Sequence, residues 1–116
     1  MNVKEFYSEV NGNYQAALSL MMNDSFIERL LGKFFSNNSF NDIVSSYEKK
    51  DYQTLFASVH SFKGVVGNLQ ITPLYDLACT ITEKTRSLSD VNIDSEIKDF
   101  SEKYYFAKEC FEKIGK

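Results

Sequence analysis

Apolar residues recur at spacings of three and four along most of the chain, which is the pattern of amphipathic helices. The clearest case runs from Tyr52 to about Gln70, and Asp51 precedes it as a capping residue. Its apolar positions form one seam: Leu55, Val59, Phe62, Val66 and Leu69. We expect this seam to face the core and the other side of the helix to face solvent.

The same spacing predicts helices on both sides of this central one. A short, frayed helix is expected over residues 2–9, and a second short helix over 14–22 follows an Asn13 cap. Longer helices are predicted over 25–35, over 40–49 after a Ser39 cap, from Thr72 as cap and Pro73 at the first helical position through Thr85, and from Asp94 to about Ile114. Residues 87–94 are expected to form a loop.

These elements predict an all-α fold, namely an antiparallel four-helix bundle with one or two short extra helices at the N-terminus. No run of period-two alternation indicates a strand. The 116 residues suit a single domain over 1–116, with the core bundle at about 25–114 and the short helices at about 2–22.

Composition narrows the possible functions. The net charge is −3 and no Lys/Arg stripe is visible, so nucleic acid binding is not expected. Cys79 and Cys110 lack metal-site spacing, and we interpret them as reduced thiols of a cytoplasmic protein. No apolar run approaches the length of about 18 residues that a membrane span needs. The N-terminus carries no signal-peptide pattern, so a soluble protein without membrane insertion is expected.

The only histidine, His60, lies on the central helix, where helical geometry turns it roughly 140° away from the apolar seam. Lys63 and Gly67 flank it at roughly 80° and 120° from the seam, and Gly64 lies almost opposite the seam. His60 is therefore predicted to face solvent, with a lysine and two glycines around it.

Glycine inside a helix costs about 1 kcal/mol relative to alanine, so two such glycines need a reason. A close helix crossing remains one explanation for Gly67. Gly64 points away from the core, and we interpret it as a place where another molecule approaches the backbone beside His60.

An exposed, partly neutral imidazole is a nucleophile near neutral pH, and a phosphoryl group on it would lie near the Lys63 ammonium. The segment has no Ser or Cys partner at usable spacing for a catalytic pair, no Gly-rich phosphate loop and no carboxylate cluster for Mg²⁺. Phosphoryl transfer usually needs a metal. The sequence therefore predicts a phosphoryl carrier without autonomous catalytic activity and without a cofactor of its own.

From His60 to Leu69 the chain reads His-Ser-Phe-Lys-Gly-Val-Val-Gly-Asn-Leu. This segment resembles the signature of the histidine phosphotransfer (HPt) domain of multistep two-component phosphorelays. The resemblance continues through Leu74, Leu77, Ala78 and Ile81 and is weakest over 1–9 and 90–116. It implies a monomeric four-helix bundle that takes phosphate from the aspartyl phosphate of a receiver domain and passes it to another.

The resemblance also implies roles for individual residues. His60 would accept the phosphoryl group through Nε2, Lys63 would assist electrostatically and Gly64 would permit docking. The receiver, belonging to a response regulator or a hybrid histidine kinase, would supply Mg²⁺. Around these three, the partner-binding residues would be Gln53, Phe56, Ala57, Gly67, Asn68, Thr82 and Arg86. Thr82 stands where several members have Gln or Glu against the imidazole, and Gln70 stands where the family commonly has Gly.

Two alternatives stay open at the level of sequence. A helical module could bind a receiver without carrying phosphate, although such a module has no need for His60. The chain could also be the phosphoacceptor domain of a chemotaxis-type histidine kinase, with an ATP-bound kinase domain as donor. A phosphotransfer assay separates these functions.

Overall fold

The computed structural model describes residues 1–88 and 91–116. These residues form α-helices and no strand, which confirms the predicted all-α class. The helices are α1 (Val3–Glu9), α2 (Tyr14–Met21), α3 (Asp24–Ser36), α4 (Ser39–Glu48), α5 (Tyr52–Asn68), α6 (Thr72–Thr85) and α7 (Asp94–Glu112). Within this part of the chain, none of the helices is both long enough and apolar enough to cross a membrane.

The apolar seam of α5 lies in the core as predicted, with Leu55, Val59, Phe62, Val66 and Leu69 all buried. Phe62 is the centre of an aromatic cluster. Its ring centroid lies 5.2 Å from that of Phe34 in α3 and 5.0 Å from that of Phe100 in α7. Because three helices meet at this one side chain, the rotation of α5 about its own axis is fixed.

On either side of this cluster, α5 packs against α4 and against α6, and α6 in turn packs against α7. The helices α5 and α6 run antiparallel. Phe56 near the start of α5 meets Arg86 at the end of α6, whereas Gly67 near the end of α5 meets Tyr75 near the start of α6. This pairing brings the last turn of α6 beside His60.

Two of the predicted helix caps are wrong. Ser39 is the first residue of α4, and its N–H donates to Oδ1 of Asn37 at 2.9 Å. Thr72 is the first residue of α6. The capping position is Ile71, whose side chain makes no capping hydrogen bond. Asp51 does cap α5, accepting from the Thr54 N–H at 3.2 Å. Its hydrogen bonds with the Thr54 side chain and, to a smaller extent, with the Thr54 N–H hold the pKa of Asp51 below its usual value.

Two predictions for the C-terminal part of the chain can be compared with the structure only in part or differ slightly from it. The loop expected over 87–94 includes residues 89–90, which lie outside the described residues. The helix that follows it, α7, ends at Glu112, two residues before the predicted Ile114.

The short helix predicted over residues 2–9 is confirmed as α1, but the expectation that it is frayed is wrong, because the helix is well anchored. Asn2 and Glu5 form a reciprocal capping box, with bonds of 2.8 and 3.0 Å. Phe6 and Tyr7 are buried, and the Tyr7 hydroxyl donates to the Leu69 carbonyl at 2.6 Å. Burial raises the pKa of Tyr7. The helix thus ties the N-terminus to the end of α5.

The end of α5 is closed by Gln70 in the left-handed conformation, with φ of 61°. Its N–H donates to the Gly67 carbonyl at 3.2 Å, and the Ile71 N–H donates to the Val66 carbonyl at 3.4 Å. These two bonds form a Schellman motif, in which glycine is the usual left-handed residue. The Gln70 carbonyl also accepts from the Asn13 N–H at 2.9 Å, which fixes the start of α2.

A Gln70→Gly variant is therefore expected to be more stable than the wild type by about 0.5 to 1 kcal/mol. Glycine removes the left-handed penalty of about 1–2 kcal/mol, and the greater freedom of the unfolded chain offsets part of that gain. Urea unfolding followed by circular dichroism measures the change. The control is Gln70→Ala, which keeps Cβ; an equal gain in that variant would show that the glutamine side chain is responsible instead.

Candidate functional site

The structure places His60 on the solvent side of α5, as predicted, and brings most of the expected partner-binding residues to the same side. His60, Gln53, Ala57, Gly64 and Asn68 are exposed, and Phe56, Lys63 and Gly67 are half-buried. Arg86 reaches this surface from the end of α6. We call this set the His60 face: Gln53, Phe56, Ala57, His60, Lys63, Gly64, Gly67, Asn68 and Arg86.

The two glycines of the His60 face differ in what surrounds them. A Cβ atom at Gly64 would meet nothing within 4 Å, so no packing contact within the described residues accounts for this glycine. A Cβ atom at Gly67 would lie 2.9 Å from Cε1 of Tyr75. Helix crossing therefore explains Gly67, whereas Gly64 leaves a bare stretch of backbone one turn from His60.

Two surface depressions adjoin this bare backbone. One, of about 660 Å³, is lined on the α5 side by Lys63, Gly64, Gly67 and Asn68. The other, of about 470 Å³, continues from Asn68 past Val65 towards α2 and α3 and is mostly apolar. Val65 is 48% exposed although it is apolar. Sequence reasoning did not identify this apolar margin, because Val65 lies outside the seam and its neighbours come from other helices.

Three charged side chains are grouped beside His60. Nη2 of Arg86 donates to Oε1 of Glu83 at 2.7 Å, and its Nε donates to Oε2 at 3.3 Å. This bidentate pair holds the pKa of Glu83 below its usual value, and the Lys63 ammonium contributes to the same shift. Glu83 was not predicted as a site residue, although its spacing of three from Arg86 on one helix is a signal for such a pair.

The imidazole of His60 is stacked on Phe56 one turn earlier in α5. The ring centroids are 5.8 Å apart and the ring planes differ by 14°. The guanidinium carbon of Arg86 lies 5.6 Å from the centroid of the Phe56 ring. The sequence left Phe56 as either a docking residue or a residue at the edge of the core, whereas the structure gives it a direct contact with the histidine.

Thr82 does not lie on the His60 face, so its predicted role in partner binding is wrong. The side chain is fully buried, and its hydroxyl donates to the Ala78 carbonyl at 2.6 Å. A threonine in a helix commonly makes this bond to the carbonyl four residues earlier, which turns the hydroxyl onto its own backbone. Thr82 therefore presents no polar atom to a docked protein.

Among residues 1–88 and 91–116, no group of three or more His, Cys, Asp or Glu side chains is arranged so that it could hold a metal ion. The groups of the His60 face that can take part in chemistry are one exposed imidazole, the two cations Lys63 and Arg86, and a stretch of uncovered backbone.

In comparisons with known proteins, no family model, no curated protein and no solved structure matches this chain.

Proposed function

We propose that this chain is an HPt domain, which accepts a phosphoryl group on His60 from the aspartyl phosphate of a receiver domain and relays it to another receiver. One observation carries the proposal: His60 is exposed on α5, and a Cβ atom at Gly64 one turn later would meet nothing within 4 Å. A second protein can therefore bring its active site within bonding distance of the imidazole.

In the transfer step, the lone pair of Nε2 of His60 attacks the phosphorus atom and forms a nitrogen–phosphorus bond. The bond between phosphorus and the aspartate oxygen breaks, and the receiver recovers a free carboxylate. Lys63 and Arg86 stabilise the negative charge of the added phosphoryl group. The Glu83 carboxylate partly neutralises these two cations, because it is paired with Arg86 and lies close enough to interact with Lys63. Mg²⁺ held by the receiver supplies the remaining electrostatic stabilisation of the transferred group.

The apolar margin around Val65 supports the proposal that the partner is a protein. Exposed apolar surface next to a polar reactive group is typical of protein–protein contacts. In this proposal the core over about residues 25–114 is an antiparallel four-helix bundle, the domain is a cytoplasmic monomer, and all of its exchange partners bind at the His60 face one at a time.

The test is incubation of the purified chain with a panel of receiver domains phosphorylated at their aspartate. The expected result is transfer of label from at least one receiver to this chain, in a form that is labile in acid and stable in base. Transfer from an ATP-bound kinase domain but from no receiver would instead assign the chain to a chemotaxis-type kinase. Saturable binding of receivers without any label would identify a binding module and refute the carrier function.

A further inference from the structure

A phosphoacceptor histidine needs its ring held in one orientation, and Thr82, at the position where several HPt members have Gln or Glu against the imidazole, does not hold it. The Thr82 hydroxyl is buried and bonded to the Ala78 carbonyl. On an exposed helical position, an unrestrained imidazole turns over a wide range of angles, because the torsion next to the ring is broad. Another group must restrict the ring if its nucleophilic nitrogen is to meet the donor reproducibly.

Phe56 is placed to do this. It is four residues before His60 on the same helix, so the two side chains are neighbours on one face. The two rings are near-parallel, with planes 14° apart and centroids 5.8 Å apart, which lies within the range of offset aromatic stacking. A stacked contact of this kind restricts rotation of the ring without occupying either ring nitrogen.

Phe56 is itself held from α6. Arg86 lies over the Phe56 ring at 5.6 Å, and the bidentate bond with Glu83 fixes the guanidinium in that place. The column Glu83–Arg86–Phe56–His60 therefore couples the orientation of the imidazole to the crossing of α5 and α6.

We propose that Phe56 is the positioning residue for the His60 imidazole, and that Arg86 and Glu83 support it from α6. The effect of Phe56 on the transfer rate rests on the proposed function, since the orientation of the imidazole matters only if His60 accepts a phosphoryl group. The contact itself can be tested without any partner. Stacking and cation–π contacts of this strength correspond to changes of about 3- to 10-fold in the transfer rate.

The experiment uses the fact that His60 is the only histidine, so the imidazole signals in a ¹H–¹³C spectrum belong to one residue. In Phe56→Leu we expect the imidazole resonances to shift and the order parameter of the ring C–H vector to fall. The transfer rate at saturating phospho-receiver is expected to fall about 3- to 10-fold; saturation removes from this rate any effect of Phe56, itself a residue of the docking face, on receiver binding. Phe56→Tyr keeps the ring and should keep both readouts at their wild-type values. Arg86→Gln should change the imidazole resonances and the order parameter in the same direction as Phe56→Leu; only these two readouts are compared for this variant, because the loss of its charge slows transfer in any case.

The chain offers a matched control, because Arg29 lies over the Phe26 ring at 5.9 Å on α3. Arg29→Gln removes an equivalent contact away from the His60 face and should leave the imidazole signals unchanged. An unchanged order parameter in Phe56→Leu would overturn the proposal, and so would weaker receiver binding with a normal rate at saturation. If the wild-type chain accepts no phosphoryl group at all, the proposed function fails, while the imidazole order parameter still decides whether Phe56 restricts the ring.

Discussion

A His60→Gln variant is expected to lose phosphoryl acceptance completely while keeping the wild-type fold. Glutamine is polar and of comparable reach, but its amide offers no nucleophilic nitrogen in place of the imidazole. Because His60 is exposed and lies outside the core, the free energy of unfolding should change by no more than about 1 kcal/mol, most of it from the lost stacking on Phe56. The measurement is the transfer of ³²P from a phosphorylated receiver, alongside thermal unfolding of the same samples.

Two further measurements make this result decisive. Receiver binding by His60→Gln should remain within a few-fold of the wild type, which separates lost chemistry from lost docking. The Arg29→Gln protein serves again as the control, since it changes an exposed side chain of α3 and should transfer at the wild-type rate. Label retained on His60→Gln would mean that another residue is the acceptor.

The direction of His60 could be predicted because it depends on helical periodicity alone. The seam of α5 is unbroken, every member of it is buried, and the histidine is forced outward by geometry. The start of α4 was placed one residue late for a local reason. The sequence predicts Ser39 as the cap of α4, but the Ser39 N–H donates to the Asn37 side chain. Asn37 and Ser39 are both short polar residues that can bond the backbone at a helix start, and the sequence alone does not decide between them.

What could not be predicted depends on contacts between helices. From the sequence, Gly64 and Gly67 carry the same cost in helix propensity. Only the structure shows that the Tyr75 ring of α6 packs on Gly67, whereas Gly64 is uncovered. The position of Thr82 was carried over from a resemblance, yet a threonine hydroxyl reaches its own helix backbone more easily than it reaches a neighbouring helix. The role of Phe56 required knowing that the end of α6 lies beside the start of α5.

Gly64→Leu is expected to preserve or increase stability and to reduce phosphoryl transfer by about 100-fold or more. The side chain would occupy the space through which, in the proposed function, a receiver approaches His60, and a displacement of about 1 Å in the reacting atoms is enough for a loss of this size. Stability should not fall, because no atom lies within 4 Å of the new Cβ and glycine is a poor helix former. Single-turnover transfer and urea unfolding measure the two effects.

A series of variants distinguishes obstruction from a general effect on the helix. Gly64→Ala should raise the free energy of unfolding by about 1 kcal/mol and slow transfer less than Gly64→Leu does. Gly32→Ala adds the same methyl group to a glycine of α3, where the new Cβ would make an ordinary contact of 3.5 Å with Phe111. That control should keep wild-type transfer. If Gly64→Leu is folded and transfers phosphate at the wild-type rate, the backbone at Gly64 is not approached by the partner, and its glycine must be explained in another way.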